Sequence, residues 1–308
     1  MTAERWREIH GTGAARDLSG GVRLRLTGPD AVRYLNGQVT NDVRKIPAGG
    51  ALPACVTNHK GKLEAFVFLS QDADGALFIS GDGDLRDFLP LRLEKYLIAD
   101  NCALEDVTET TALVHLLGGA ESTAGVSGDL AEGERAAACR RFGPPGVDVW
   151  TVPERVAFWL EKRGPLTAEE AETLEVLHAV PVWGRELTSD ILPPEAGLDA
   201  TAVDFHKGCY IGQEIISRLR SVGRVNRHLA ALIQTSETGS PAQAGWSLFS
   251  RAEDGGLTAA GTVTSAADHP VTGARHLLGY VKRSASGPLL AGPAGGEAAV
   301  AVEILKDS

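Results

Sequence analysis

The chain has 308 residues, enough for two or three domains with sizeable cores. Its net charge of −10 argues against a nucleic-acid binder of the basic kind. Its four cysteines (Cys55, Cys102, Cys139 and Cys209) are too few and too scattered for a disulfide framework or a C-x-x-C metal site. No apolar run approaches the roughly 18–20 residues needed to span a bilayer. Met1 to His10 lacks the apolar core of a secretory signal, and Glu4 and Glu8 argue against a transit peptide, so a cytoplasmic protein is expected.

Val22 to Thr27 alternates apolar and charged residues, as a half-buried strand does. Thr27-Gly28-Pro29-Asp30 then reads as a capping box opening a helix, with Val32 and Leu35 inward and Asn36-Gly37 ending it. Ala54–Thr57 and Leu63–Leu69 predict two strands around the turn Asn58-His59-Lys60-Gly61-Lys62. Asp84 is expected to cap a helix reaching about Ile98, with Pro90 kinking it or marking its true start. Ala103–Val107 reads as a short strand. Residues 111–160 carry little pattern: 120–133 reads as a loop or short helix, and Pro144-Pro145-Gly146 leads into a strand near 147–152. Thr167-Ala-Glu-Glu170 is a second capping box, opening a helix through Leu177 that stops at Pro181. After Arg227, short apolar segments alternate with Gly, Ser, Thr and Pro, which predicts a small β-barrel.

The densest chemical signal is Lys207-Gly208-Cys209-Tyr210-Ile211-Gly212-Gln213-Glu214. Ile211, Ile215, Ile216 and Leu219 recur at near-helical spacing, which puts Cys209 just before a helix N-terminus. There the helix dipole, free N–H groups and Lys207 would favour a thiolate, and Gly208 and Gly212 would allow positive φ. A buried, inert cysteine in a turn is the alternative on local chemistry. A single cysteine cannot hold a cluster that takes about four ligands. Glu214 suits the first turn of a helix as a complement to its dipole. Arg218, Arg220, Arg224 and Arg227 form the one concentrated basic stretch. It is either solvated surface or a patch for a glutamate tail, a phosphate or an RNA backbone.

The octapeptide K-G-C-Y-x-G-Q-E resembles the signature of the YgfZ family, folate-binding relatives of the glycine-cleavage T-protein that include mitochondrial iron–sulfur assembly factors. Asp30 to Val43 and the Lys60-Gly61-Lys62 turn resemble further landmarks of that family. The resemblance implies an α+β, T-protein-like multi-domain fold. Two interleaved α/β subdomains over 1–228 would surround a central channel, and a C-terminal β-barrel would occupy 229–308. It implies binding of tetrahydrofolate or a derivative, with no permanent metal. For the pocket it implies Asn36, Gln38, Thr40, Asn41, His178, Trp183, Tyr210, Gln213, Glu214 and Arg218. For the reactive centre it implies Cys209 assisted by Lys207. The implied role is support of iron–sulfur cluster assembly or repair in client enzymes, including ones that modify tRNA. The expected partners are folate and iron–sulfur client or assembly proteins, with no membrane and no direct nucleic-acid binding.

Three departures bear on this. The Asp pair of T-proteins is replaced by Glu64, Ala65 and Phe66, so the acid–base group of the transfer chemistry is missing and enzymatic activity stays open. Leu174 to Pro181 lacks the acid and glycine of many relatives, although His178 could hydrogen-bond a ligand. T-proteins lack the cysteine octapeptide, which favours the YgfZ branch. Two alternatives remain at this stage: a tetrahydrofolate-dependent aminomethyl or one-carbon transferase, and an RNA- or acidic-partner-binding module through Arg218–Arg227.

Overall fold

The computed structural model describes residues 1–118, 126–221, 223–236, 239–251, 256–293 and 299–305, so part of the loop expected at 120–133 lies outside the described residues. The fold is α+β, built on two antiparallel sheets and a closed barrel. β1 (Ala14–Asp17) and β2 (Val22–Thr27) follow one another directly yet enter different sheets. β2 joins β3 (Ala51–Thr57), β4 (Leu63–Gln71), β5 (Leu77–Gly81) and β6 (Ala103–Asp106) in a five-stranded sheet of order β3-β4-β5-β2-β6.

Alternation decides the faces of this sheet. On β4, Leu63, Ala65, Val67 and Leu69 are buried, while Glu64, Phe66 and Phe68 point the other way. α1 (Ala3–Gly11) lies in the second unit. α2 (Ala31–Gln38) packs Ala31, Tyr34 and Leu35 on the β4 core face, and α3 (Leu89–Glu94) packs Leu89 and Leu93 there. Two expectations need correction here. Thr27 closes β2 rather than capping a helix, and the Asp30 carboxylate accepts the Asn101 N–H across the sheet end. The helix expected over 84–98 is only α3, and of the two readings of Pro90 the second holds: it marks the true start, in the first turn, where a missing N–H costs nothing.

The second sheet contains β1, β7 (Ala112–Leu117), β8 (Arg135–Cys139) and β9 (Gly146–Thr151), in the order β1-β7-β9-β8. Helices cover both its faces. α1 and α5 (Ala168–Leu177) close on Ala14, Leu117 and Phe142, while α4 (Val156–Arg163) presses Trp159 against Val114, Leu116 and Val149. α5 opens with the expected reciprocal capping box of Thr167 and Glu170. The two sheets meet through Phe78 and Trp150, whose rings pack edge-on at 5.3 Å.

The barrel runs β10 (Arg227–Gln234), β11 (Ser247–Arg251), β12 (Leu257–Asp268), β13 (Arg275–Lys282), β14 (Leu289–Gly292) and β15 (Val300–Ile304). It closes in the order β10-β13-β12-β11-β14-β15. Register shifts at Leu248/Phe249 and Val263/Ser265 supply local curvature. The barrel is tied to the segment after α5 through buried Glu186. Its carboxylate accepts from Ser265 Oγ at 2.8 Å, and its carbonyl accepts from Tyr280 Oη at 2.9 Å. Among the described residues no helix is long and apolar enough to cross a membrane.

Candidate functional site

Lys207 opens the octapeptide, and its side chain turns inward. Only 6 % of the residue is exposed, and Nζ donates to the carbonyls of Asn36 (2.6 Å), Val39 (2.6 Å) and Asn41 (2.8 Å). These carbonyls lie at and just beyond the end of α2, where a helix leaves acceptors without backbone partners. An ammonium has three N–H groups, and all three are used. Burial pulls the Lys207 pKa down to about 8, while the Asp42 and Asp204 carboxylates oppose the shift. Lys207 is therefore a cap for α2, with its three N–H groups spent on these carbonyls, so any help it gives the Cys209 thiol comes from its charge and not from a hydrogen bond.

The polar residues of the N-terminal motif have protein partners too. Thr40 Oγ1 donates to Ala202 O at 2.6 Å and accepts Cys55 N–H at 2.9 Å. Asn41 Nδ2 donates to Pro53 O (2.9 Å) and Thr201 O (3.0 Å). Asn36 Oδ1 accepts Val43 N–H, and Gln38 Oε1 accepts Arg92 Nη1–H. Together with Lys207 they lace the end of α2 to the chain from 201 to 209.

The other half of the octapeptide docks through glycines. Gly212 has φ +85°, and a Cβ there would stand 2.4 Å from Asn58 O. Gly61 has φ +72°, and its Cβ would stand 3.1 Å from Ile215 Cβ. Thr57 Oγ1 donates to Ile211 O at 2.5 Å. The Lys-Gly-Lys turn and the octapeptide are thus opposite sides of one backbone-to-backbone contact. α6 (Gln213–Ser221) begins after Gly212, so Cys209 stands before the helix N-terminus, as its spacing predicted. Gly208 has no positive φ and open space around it, unlike Gly212. Cys209 is exposed, Tyr210 is buried with a hydroxyl that has no partner among the described residues, and Gln213 N–H donates to Tyr210 O. Glu214 and Arg218 form an exposed i,i+4 pair at 2.9 Å.

A cavity of about 1120 Å³ lies between the two sheets and the barrel. β4 contributes Phe66 and Phe68, the second sheet contributes Cys139 and Gly146, and β10 and β13 contribute Leu229 and Leu278. Polar groups enter from Arg140, Arg141, Thr201 and His228, and among the described residues the single carboxylate of the wall is Asp199. None of the residues expected at the pocket lines this cavity, so the expectation that the octapeptide forms its wall is corrected. His178 packs beside Trp6 and His10, at ring-centre distances of 6.2 and 6.1 Å. Trp183 packs into the core between the first sheet and the segment leading to the barrel. Glu64 shares the face of Phe66, but its carboxylate is tied to the buried Arg92 at 2.5 Å, and Ala65 is sealed in the core.

One cluster at this wall has no counterpart in the sequence reading. His115 Nδ1 and Asp148 Oδ1 are 2.8 Å apart, Arg141 Nε donates to both Asp148 oxygens, and Cys139 Sγ lies 4.0 Å from His115 Nδ1. It is the one group of three or more His, Cys, Asp or Glu among the described residues whose ligand atoms lie close enough for a metal. A cation fits it poorly, because the Arg141 guanidinium already occupies Asp148. Burial, then the Asp148 charge, drives the Cys139 pKa well up, so its thiol stays protonated. Burial likewise pushes Cys55 up to about 12. Brief alkylation of the native protein at neutral pH is therefore expected to label Cys209 first, with Cys55 and Cys139 labelled only on unfolding, as peptide mass spectrometry would read. Early labelling of Cys139 would contradict this burial.

No family profile matches the chain. Its architecture is that of the aminomethyltransferase T fold. It superimposes on the glycine cleavage system aminomethyltransferase T from Bartonella henselae with a TM-score of 0.82 at 16 % identity, covering 98 % of this chain and 88 % of that one. In sequence it is similar to the tRNA-modifying protein YgfZ of Pectobacterium atrosepticum, 30 % identical over 219 residues, which are 66 % of this chain and 65 % of the relative. A more distant relative is the mitochondrial iron–sulfur cluster assembly factor IBA57 homolog of Phaeosphaeria nodorum, 23 % identical over 66 % of this chain and 51 % of that protein. These relatives, together with the shared fold, support membership of the YgfZ family. The matched part spans just under two thirds of the Pectobacterium relative's length.

Proposed function

We propose that the protein binds a tetrahydrofolate in the central cavity and serves as an accessory factor for iron–sulfur cluster assembly or repair, supporting cluster-dependent enzymes that include tRNA-modifying ones. The observation that carries the folate reading is the cavity itself. It measures about 1120 Å³, with aromatic and aliphatic walls and a few inward polar groups, as a pocket for a fused-ring ligand requires. The bacterial relative is a tRNA-modifying protein and the mitochondrial one an iron–sulfur cluster assembly factor, which supports the cluster role. In this reading Cys209 acts at the surface and the folate lies apart from it. An aminomethyl transfer is disfavoured, because β4 offers no free carboxylate to the cavity.

Anaerobic calorimetry with tetrahydrofolate tests the reading. Wild type and Cys209→Ser are expected to bind one equivalent alike. Ala231→Trp, which sets an indole into the cavity from β10, is expected to weaken binding at least roughly tenfold. No binding by wild type, or unchanged affinity in Ala231→Trp, removes the folate from this cavity. Loss of client-enzyme activity in cells carrying Cys209→Ser is expected if the thiol serves the cluster role, and full activity would end that part of the proposal.

A further inference from the structure

Beside the central cavity opens a second pocket of about 450 Å³, and Asp199 and His228 line both. Its other walls include Phe205, Arg220, Arg224 and Arg283. The basic stretch read from the sequence divides here into two kinds. Arg218 pairs with Glu214, and Arg227 pairs with Glu195. Arg220, Arg224 and Arg283 are exposed and have no carboxylate partner among the described residues. Arg220 is held with its guanidinium 3.9 Å over the Phe205 ring, and the Arg283 backbone N–H donates to Asn226 O at 2.8 Å. Three guanidinium groups without a carboxylate partner among the described residues thus line a pocket with one described carboxylate, Asp199, in a protein of net charge −10.

We propose that this pocket takes the γ-linked oligoglutamate tail of a folate whose ring system lies in the central cavity, an assignment that rests on the folate reading above. A ligand spanning both spaces needs an uncharged, flat head for the apolar walls and a multiply anionic tail for the arginines. Carboxylates match guanidinium groups in geometry and charge. A nucleic acid carries a charge at every residue and would bring phosphates against the apolar cavity wall.

The test compares tetrahydrofolate monoglutamate with the pentaglutamate by anaerobic calorimetry. Wild type is expected to bind the pentaglutamate about tenfold tighter or more at low salt, with the gain shrinking in 0.5 M NaCl. Combined Arg220→Ala, Arg224→Ala and Arg283→Ala is expected to lose the gain and keep the monoglutamate affinity. Should the triple variant not fold, Arg224→Gln and Arg283→Gln give the same reading in smaller steps. Equal affinity for the two forms, or a gain that survives in the variants, overturns the proposal. A ten-nucleotide RNA that binds these arginines more tightly than the pentaglutamate does also overturns it. Failure of both folate forms to bind removes the cavity reading itself, which separates the two failures.

Discussion

Replacing Lys207 by methionine is expected to cost on the order of 3 kcal/mol and to lower the melting temperature by roughly 5–10 °C. Methionine fills much of the same volume but donates nothing. The carbonyls of Asn36, Val39 and Asn41 would lose their donor inside a space where water does not replace it. Removing the buried charge returns part of that cost, which keeps the expected loss below the sum of three orphaned acceptors. Cys209→Ser, at an exposed position two residues on, is expected to move the melting temperature by less than about 1 °C. Differential scanning fluorimetry on the two variants separates a structural lysine from one that serves the thiol. A Lys207→Met protein that melts with wild type, yet alkylates at Cys209 with a shifted pH profile, would restore the role read from the sequence.

Gly212→Ala is expected to be the most damaging small substitution in the octapeptide, costing roughly 3 kcal/mol or more. Two penalties combine: a side chain at φ +85°, and a methyl group 2.4 Å from Asn58 O with Gly61 Cα behind it at 3.0 Å. Neither obstacle is the end of a flexible side chain, so the turn at 58–62 and the start of α6 must move apart. Hydrogen exchange is expected to rise at Gln213 and Ile216, whose N–H groups bond Tyr210 and Gly212 across this start. Gly208→Ala is the control, with nothing within 4 Å of its added methyl group, and should change stability by less than about 0.5 kcal/mol. Equal effects at the two glycines would mean that the contact with the turn is not what Gly212 provides.

The octapeptide was conspicuous because a cysteine between glycines is rare, and its glycine at 212 has a visible reason in the fold. The reason itself was not legible, since it lies in Asn58 and Gly61, far away along the chain. Lys207 was read as a partner for its near neighbour Cys209. A long side chain can instead reach back to carbonyls 166 to 171 residues earlier, and sequence proximity carries no information about that. The barrel was legible because its strands alternate and its turns carry Gly and Pro. β7 was obscure for the opposite reason. It is buried on both faces, so Ala-Leu-Val-His-Leu-Leu shows no alternation to read, whereas β9, equally buried, was marked by the Pro-Pro-Gly turn before it. The central cavity was invisible because its walls come from both sheets, the barrel and the segments between them, mostly as small or apolar residues that form no motif.

The separation of β1 from β2 has a consequence for how the chain is made. β1 leaves the ribosome early, but its partner β7 follows about 100 residues later, and Ala15 also waits for the N–H···O bond to Gly164. The Arg5–Glu170 ion pair closes a loop of similar kind over 165 residues. Meanwhile β2 to β6 all lie between Val22 and Asp106, so that sheet has every strand it needs before β7 is made. The first sheet is thus free to form during synthesis while β1 stays idle, and the second sheet completes itself around that strand. The segment that carries α1 and β1 is thus made ahead of its partners and is among the last to find its place.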